Sequence, residues 1–199
     1  WRGLIEKVKE HAKECNPSGY LTGERLKGYL NDMVFAQLYA SYNHILIQKI
    51  VCDILLKFKI KSIDTITSVH NYIDFEDHII RKGSIRAYEN EKMVIPINME
   101  YGTLICEGKS NKDWNCTAPH GAGRLMSRSS AKKTISLDEF KEHMKDIYST
   151  SVCKSTIDEA PMAYKNPEEI VRLIEPTCNI LYTIKSVISM KATDENKDD

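Results

Sequence analysis

"IKSIDTITSVHNYIDF", residues 60–75, decides what kind of fold this chain makes. It is rich in β-branched residues, which fit a pleated surface, and it reads as strand. What precedes it reads as helix. Leu4, Ile5, Val8, Ala12 and Cys15 recur at helical spacing until Asn16-Pro17-Ser18-Gly19 breaks the pattern. A second helix is predicted from about Thr22 to Phe58, with Leu26, Leu30, Val34, Leu38, Ile45, Ile50 and Leu55 among its apolar positions and a bend near Tyr42-Asn43. Downstream, "HIIRKGSIRAY" (78–88) and "KMVIPINMEYGTLICEG" (92–108) continue as short strands joined by polar turns. Residues 109–119 read as a loop.

Helices then return. One is expected to follow Gly123 and run to about Lys133. Ser136 with Glu139 three residues on forms a capping box for the next. Asn166, followed by Pro167 at the first turn, caps another. "VISMKA" (187–192) reads as a strand, and the acidic 193–199 tail is too polar to pack. The expectation is an α+β chain: N-terminal helices, then an irregular mixed sheet with peripheral helices.

Composition narrows the class without naming a partner. The 199 residues carry 28 Lys+Arg against 28 Asp+Glu, so only local clusters of charge can select a ligand. No apolar run approaches the ~20 residues that cross a bilayer, and no signal peptide is visible. The six cysteines lie far apart with no C-x-x-C pair, which favours reduced thiols in a cytoplasmic protein over a disulfide framework.

The densest chemistry is "NCTAPHGAGRLMSR", residues 115–128. Gly121 and Gly123 let a backbone approach a phosphate and permit positive φ. A helix starting just after them would aim free N–H groups at an anion. Arg124, Arg128 and Lys132 stand at i, i+4 and i+8, a cationic stripe suited to a polyanionic backbone. His120 then stands where an imidazole nitrogen could attack phosphorus. The plainer alternative is a turn before a solvated helix.

Other candidates carry similar alternatives. His70, beside Asn71, could ligate a metal, but one histidine is no metal site. Tyr164, in "DEAPMAYKNPEE" (158–169), could stack on a base or close over the core. Lys191 could contact a ligand or be a solvated lysine. His11, His44 and His143 read as helix-surface or packing residues.

Taken in order, these pieces resemble the RtcB family of RNA ligases. The residues that carry the likeness are "FAQLYASYN" (35–43), "HNY" (70–72), "RKGSIRA" (81–87), "IPINM" (95–99), "HGAGRLMSRSSAKK" (120–133), "IDEAPMAYK" (157–165) and "MKA" (190–192). The resemblance implies an RtcB-like fold over residues 1–192. It implies a GTP- and manganese-dependent ligase that joins RNA 3′-phosphate or 2′,3′-cyclic phosphate ends to 5′-hydroxyl ends through a guanylyl-histidine, in tRNA splicing or RNA repair. His120 would be the guanylated residue. His70 would be a manganese ligand as well as a nucleotide contact, and Asn71 would touch the nucleotide. Pro96, Ile97, Asn98, Met99, Thr103, Gly121, Ala122, Gly123, Tyr164 and Lys191 would line GMP or GTP. Arg124, Arg128 and Lys132, by their spacing, would hold the RNA, whether tRNA halves or a cleaved strand.

Two features depart from the family. Ile97-Asn98-Met99-Glu100 stands where it carries Gly-Ser-Met-Gly, bringing a carboxylate toward the nucleotide. The Asp-x-Gly-Cys and Gly-Asn-His-Phe motifs, which supply most of its metal ligands, do not occur in this sequence. The expectation is therefore the C-terminal part of a ligase that works with the missing N-terminal half, in some lineages with an archease-type helper. The alternative is a noncatalytic RNA- or partner-binding module.

Overall fold

In the computed structural model the described residues are 20–58 and 65–193, together with Glu6 and Glu10. Apart from Glu6 and Glu10, both helical, the expected first helix lies outside them, as do the break after it, residues 59–64 and the acidic tail beyond Thr193. The chain divides into two compact units. One holds the residues up to Thr65 with Tyr72–Ile80; the other holds Ile66–Asn71 and the chain from Arg81 onward.

The first unit is built on α1, Gly23–Lys57, capped by Thr22 and ended at Phe58, as the helical spacing predicts. No residue of α1 is buried. The Gln37 side chain is its tie to the later segment: its Nε2 donates to the Ile73 carbonyl at 3.2 Å, and its Oε1 accepts from the Ile73 N–H at 2.8 Å. One amide thus satisfies both backbone groups of a strand residue. Asp74 and Asp77 accept from the N–H groups of Glu76 and Ile79, closing the turn in which His78 takes a positive φ.

The short strands β1 (Asn71–Ile73) and β2 (Ile80–Lys82) cross the division between units. In the second unit, β3 (Ser84–Arg86) pairs antiparallel with β6 (Thr117–Pro119). β4 (Lys92–Asn98), β5 (Gly102–Gly108) and β7 (Cys178–Ile184) form an antiparallel sheet in the order β4-β5-β7. Period-two burial orders it: Met93, Ile95 and Ile97 of β4 and Leu104 and Cys106 of β5 point to one face. They pack with Ile170 and Ile174 of α4 (Pro167–Ile174). A second cluster gathers Met99, Ala131, Phe140, Met144, Ile157 and Ala163 around α2 (Arg128–Thr134) and α3 (Leu137–His143). Tyr164 packs against both clusters.

The α+β class holds, with differences in detail. The helix expected after Gly123 begins only at Arg128, capped by Ser127. The reason is that residues 123–125 pair along residues 163–165: Leu125 N–H donates to the Ala163 carbonyl and Lys165 N–H to the Gly123 carbonyl. Backbone spent on that pairing is not helical. Gly121 and Gly123 therefore do not sit at a helix start, and Arg124 does not share a helical face with Arg128 and Lys132. Residues 65–70 lie outside any strand. "VISMKA" makes only an isolated bridge, Ile188 to Tyr148, while β7 just before it is the strand. The 109–119 loop contains a short 3-10 turn, Lys112–Trp114, and β6. Cys52, Cys106, Cys116, Cys153 and Cys178 are free thiols. No described helix is long and apolar enough to cross a membrane.

Candidate functional site

The site lies wholly within the second unit. The β4–β5 hairpin supplies one wall. Asn98 ends β4, and its Oδ1 accepts from the N–H groups of Glu100 and Tyr101, fixing the turn. The turn ends at Gly102, where φ is +98° and a Cβ would lie 2.1 Å from the Ile184 carbonyl oxygen. Only glycine fits there. Glu100 is drawn away by His143, whose Nδ1 lies 2.7 Å from the carboxylate. It does not line the cleft.

The segment 120–124 lies along this wall. Ala122 N–H donates to the Pro96 carbonyl at 3.3 Å, and a Cβ on Gly121 would meet that oxygen at 2.9 Å. The result is a cleft of about 540 Å³. Pro96, Ile97, Asn98, Met99, Thr103, Gly121, Ala122, Gly123, Tyr164 and Lys191 all line it, with His120. The structure thus brings together eleven of the residues singled out from the sequence. It adds Gly102, Ser186 and Ser189, which carried no sequence signal. Arg124 and Arg128 also border the cleft, whereas Lys132 borders the neighbouring cavity.

His70 and Asn71 sit beside the cleft without lining it. The His70 and His120 rings stack, with centroids 5.0 Å apart and planes 9° from parallel. Asn71 Oδ1 accepts from the Gly83 N–H at 2.8 Å. His120 Nδ1 in turn lies 2.6 Å from the Gly83 carbonyl oxygen. A carbonyl oxygen only accepts, so Nδ1 carries the hydrogen, and in the neutral ring the lone pair is on Nε2. His120 is exposed rather than packed in the interior.

The far end is held by acids that the sequence reading passed over. Tyr164 donates to Glu159 Oε2 at 2.7 Å, and Lys191 Nζ lies 3.4 Å from the same oxygen. Arg128 reaches both Glu159 and Asp158, and Lys132 lies 3.5 Å from Asp158. The expected cationic stripe is therefore largely paired. Burial and the Glu159 carboxylate push the Tyr164 phenol up to about 12, so it stays a proton donor. Burial alone would raise the Glu159 carboxyl; hydrogen bonds from Tyr164 and Arg128, with the charge of Lys191, hold it below the usual range. Arg124 covers the Tyr164 ring, 5.0 Å from its centroid. Lys191 is not a loose lysine: its backbone N–H and carbonyl both bond the buried Ser151 hydroxyl.

Among the described residues, no group of three or more His, Cys, Asp or Glu side chains could hold a metal ion. His70 offers one nitrogen, short of the ligand set a divalent transition metal requires.

The chain is 29% identical to RNA-splicing ligase RtcB of Escherichia coli K12, over 94% of its own length and 50% of the relative's. It is 34% identical to the tRNA-splicing ligase RtcB of Aeropyrum pernix over 48% of the chain, and 28% identical to that of Nanoarchaeum equitans over 74%. The chain spans about half the length of the E. coli relative. The family model for tRNA-splicing ligase RtcB matches residues 18–192, almost the whole of the sequence, and the chain belongs to that family.

Proposed function

We propose that the glycine-lined cleft binds a guanosine nucleotide and that His120 is its nucleophile, within an RNA ligase. The observation that carries this reading is His120 itself: exposed at the cleft, with Nδ1 committed to the Gly83 carbonyl. That contact leaves Nε2 as the free lone pair. Nε2 attacks the α-phosphorus of GTP, the bond to the bridging oxygen breaks, and pyrophosphate leaves. The Nδ1 hydrogen remains on the ring, where the Gly83 carbonyl offsets the imidazolium charge. An RNA 3′-phosphate oxygen then displaces His120 from GMP, and a 5′-hydroxyl displaces GMP from the RNA.

In this reading Tyr164 and Lys191 hold the base end, and Gly121–Gly123 face the phosphates. Arg124, Arg128 and Lys132 hold the RNA; Arg128 and Lys132 remain 64% and 48% exposed despite their ion pairs. His70 would supply one manganese ligand, and the ion would offset charge on the phosphates as pyrophosphate leaves. The remaining ligands come from polypeptide beyond the described residues. That shortage favours a second reading, a noncatalytic module that retains the cleft.

Incubation with α-labelled GTP and manganese decides between them. The chain is tested alone and mixed with a polypeptide covering the part of the relatives it does not match. Acid-labile label is expected on this chain in the mixture and lost in His120→Ala. Label that survives His120→Ala overturns the nucleophile; no label in either arm leaves the module.

A further inference from the structure

One carboxylate gathers the far end of the cleft. Glu159 ends the 3-10 turn Lys154–Glu159, just before the fully buried Ala160. Its side chain is 15% exposed and does not line the cleft, yet Tyr164, Lys191, Arg128 and Arg124 all reach it and all line that cleft. Oε2 takes the Tyr164 hydroxyl at 2.7 Å and Lys191 at 3.4 Å; Oε1 takes Arg128, with Arg124 at 3.6 Å.

We propose that Glu159 is a positioning residue: its carboxylate fixes the Tyr164 hydroxyl and the Lys191 ammonium in the orientation that receives the nucleotide. This rests on the reading of the cleft as a guanosine nucleotide site. Lys191 has a long flexible stem and three donors. Anchored to Glu159 by one, it turns the others toward the cleft. The Tyr164 proton is spent on Glu159 and Arg124 donates to the phenol oxygen at 3.3 Å, so a ligand meets the phenol through its remaining lone pair. Ser151 complements this by pinning the Lys191 backbone, so backbone and head group are held independently. Without the carboxylate, these side chains must be ordered by the ligand, which weakens binding.

The test is a double-mutant cycle read by calorimetry with GMP, which needs no turnover. Glu159→Gln is expected to raise the Kd for GMP about tenfold. On a background carrying both Lys191→Met and Tyr164→Phe the same change should cost less than about twofold, because the two groups it acts through are gone. Glu159→Asp, which keeps the charge on a shorter stem, should recover part of the loss, and it carries the same cycle if Glu159→Gln loses its cooperative melt. Equal losses in both backgrounds indicate general structural damage and overturn the proposal. So does an unchanged Kd in Glu159→Gln while the unaltered chain binds GMP; that result leaves the cleft reading standing. No binding of GMP by the unaltered chain overturns both.

Discussion

At the scale of single residues the site is a set of commitments. Gly83 gives its carbonyl to His120 and its N–H to Asn71, and so links the two segments whose histidines stack. Asp158 and Glu159 commit the cations. Burial alone would raise the Asp158 carboxyl; the hydrogen bond from Arg128 and the charge of Lys132 hold it below the usual carboxylate range. A carboxyl lowered on folding stabilises the native state above its unfolded pKa. That contribution fades as pH falls through the folded value. Arg128 is 64% exposed, so water screens its field and discounts the pair. Asp158→Asn should therefore cost about 1 kcal/mol at pH 7, or roughly 2–4 °C in melting temperature for a chain of this size. The gap from the unaltered chain should close as pH falls well below 4. Melting curves from pH 7 to pH 3 check it; a gap that stays constant would remove the ion pairs as its cause.

At the scale of elements, local chemistry was legible and pairing was not. Thr22 and Phe58 bound α1 because the apolar spacing runs unbroken between them. The capping box before α3 is present as read: Ser136 Oγ accepts from Glu139 N–H at 3.1 Å, and Glu139 Oε2 accepts from Ser136 N–H at 3.1 Å. Asn166 caps α4 by accepting from Glu168 N–H at 2.8 Å, with Pro167 in the first turn. The two caps are contacts within three residues. The start of α2 was misread because residues 123–125 meet a segment some forty positions away, which no local spacing announces. β7 escaped for a related reason. Among the described residues it pairs only with β5, and of its own residues only Cys178 is buried, so it lacks the alternation that marks a strand with one buried face. Ser136→Ala removes one acceptor from the first turn of α3. It should cost about 1 kcal/mol, measured as a lower denaturation midpoint with an unchanged slope. Phe140, fully buried on that helix, keeps α3 docked, so global unfolding is not expected. A change in slope would mean that α3 frays independently.

At the scale of the whole molecule, the cleft is a meeting of distant segments: the β4–β5 turn, residues 120–124, Tyr164 and the stretch after β7. Period and composition cannot close such a loop. The family resemblance, carried by the ordered motifs, names eleven of the residues that line it. The acids behind the cleft carry no role in the sequence analysis, because spacing does not show that Tyr164, Arg128 and Lys191 reach Asp158 and Glu159. What the described residues lack is a metal site. They offer His70 and no group of three donors, while the chain matches about half the length of its E. coli relative. A divalent ion gains little from one imidazole, because it must shed water without recovering the lost ligands. Manganese titrated into the chain, with free ion followed by electron paramagnetic resonance, should therefore show no tight site. Adding a polypeptide that covers the unmatched part of the relatives should create one, and His70→Ala should weaken it by about 10–100-fold if His70 is a ligand. Tight uptake of two ions by the chain alone would place the ligands among residues outside those described, and the need for a second polypeptide would fall with it.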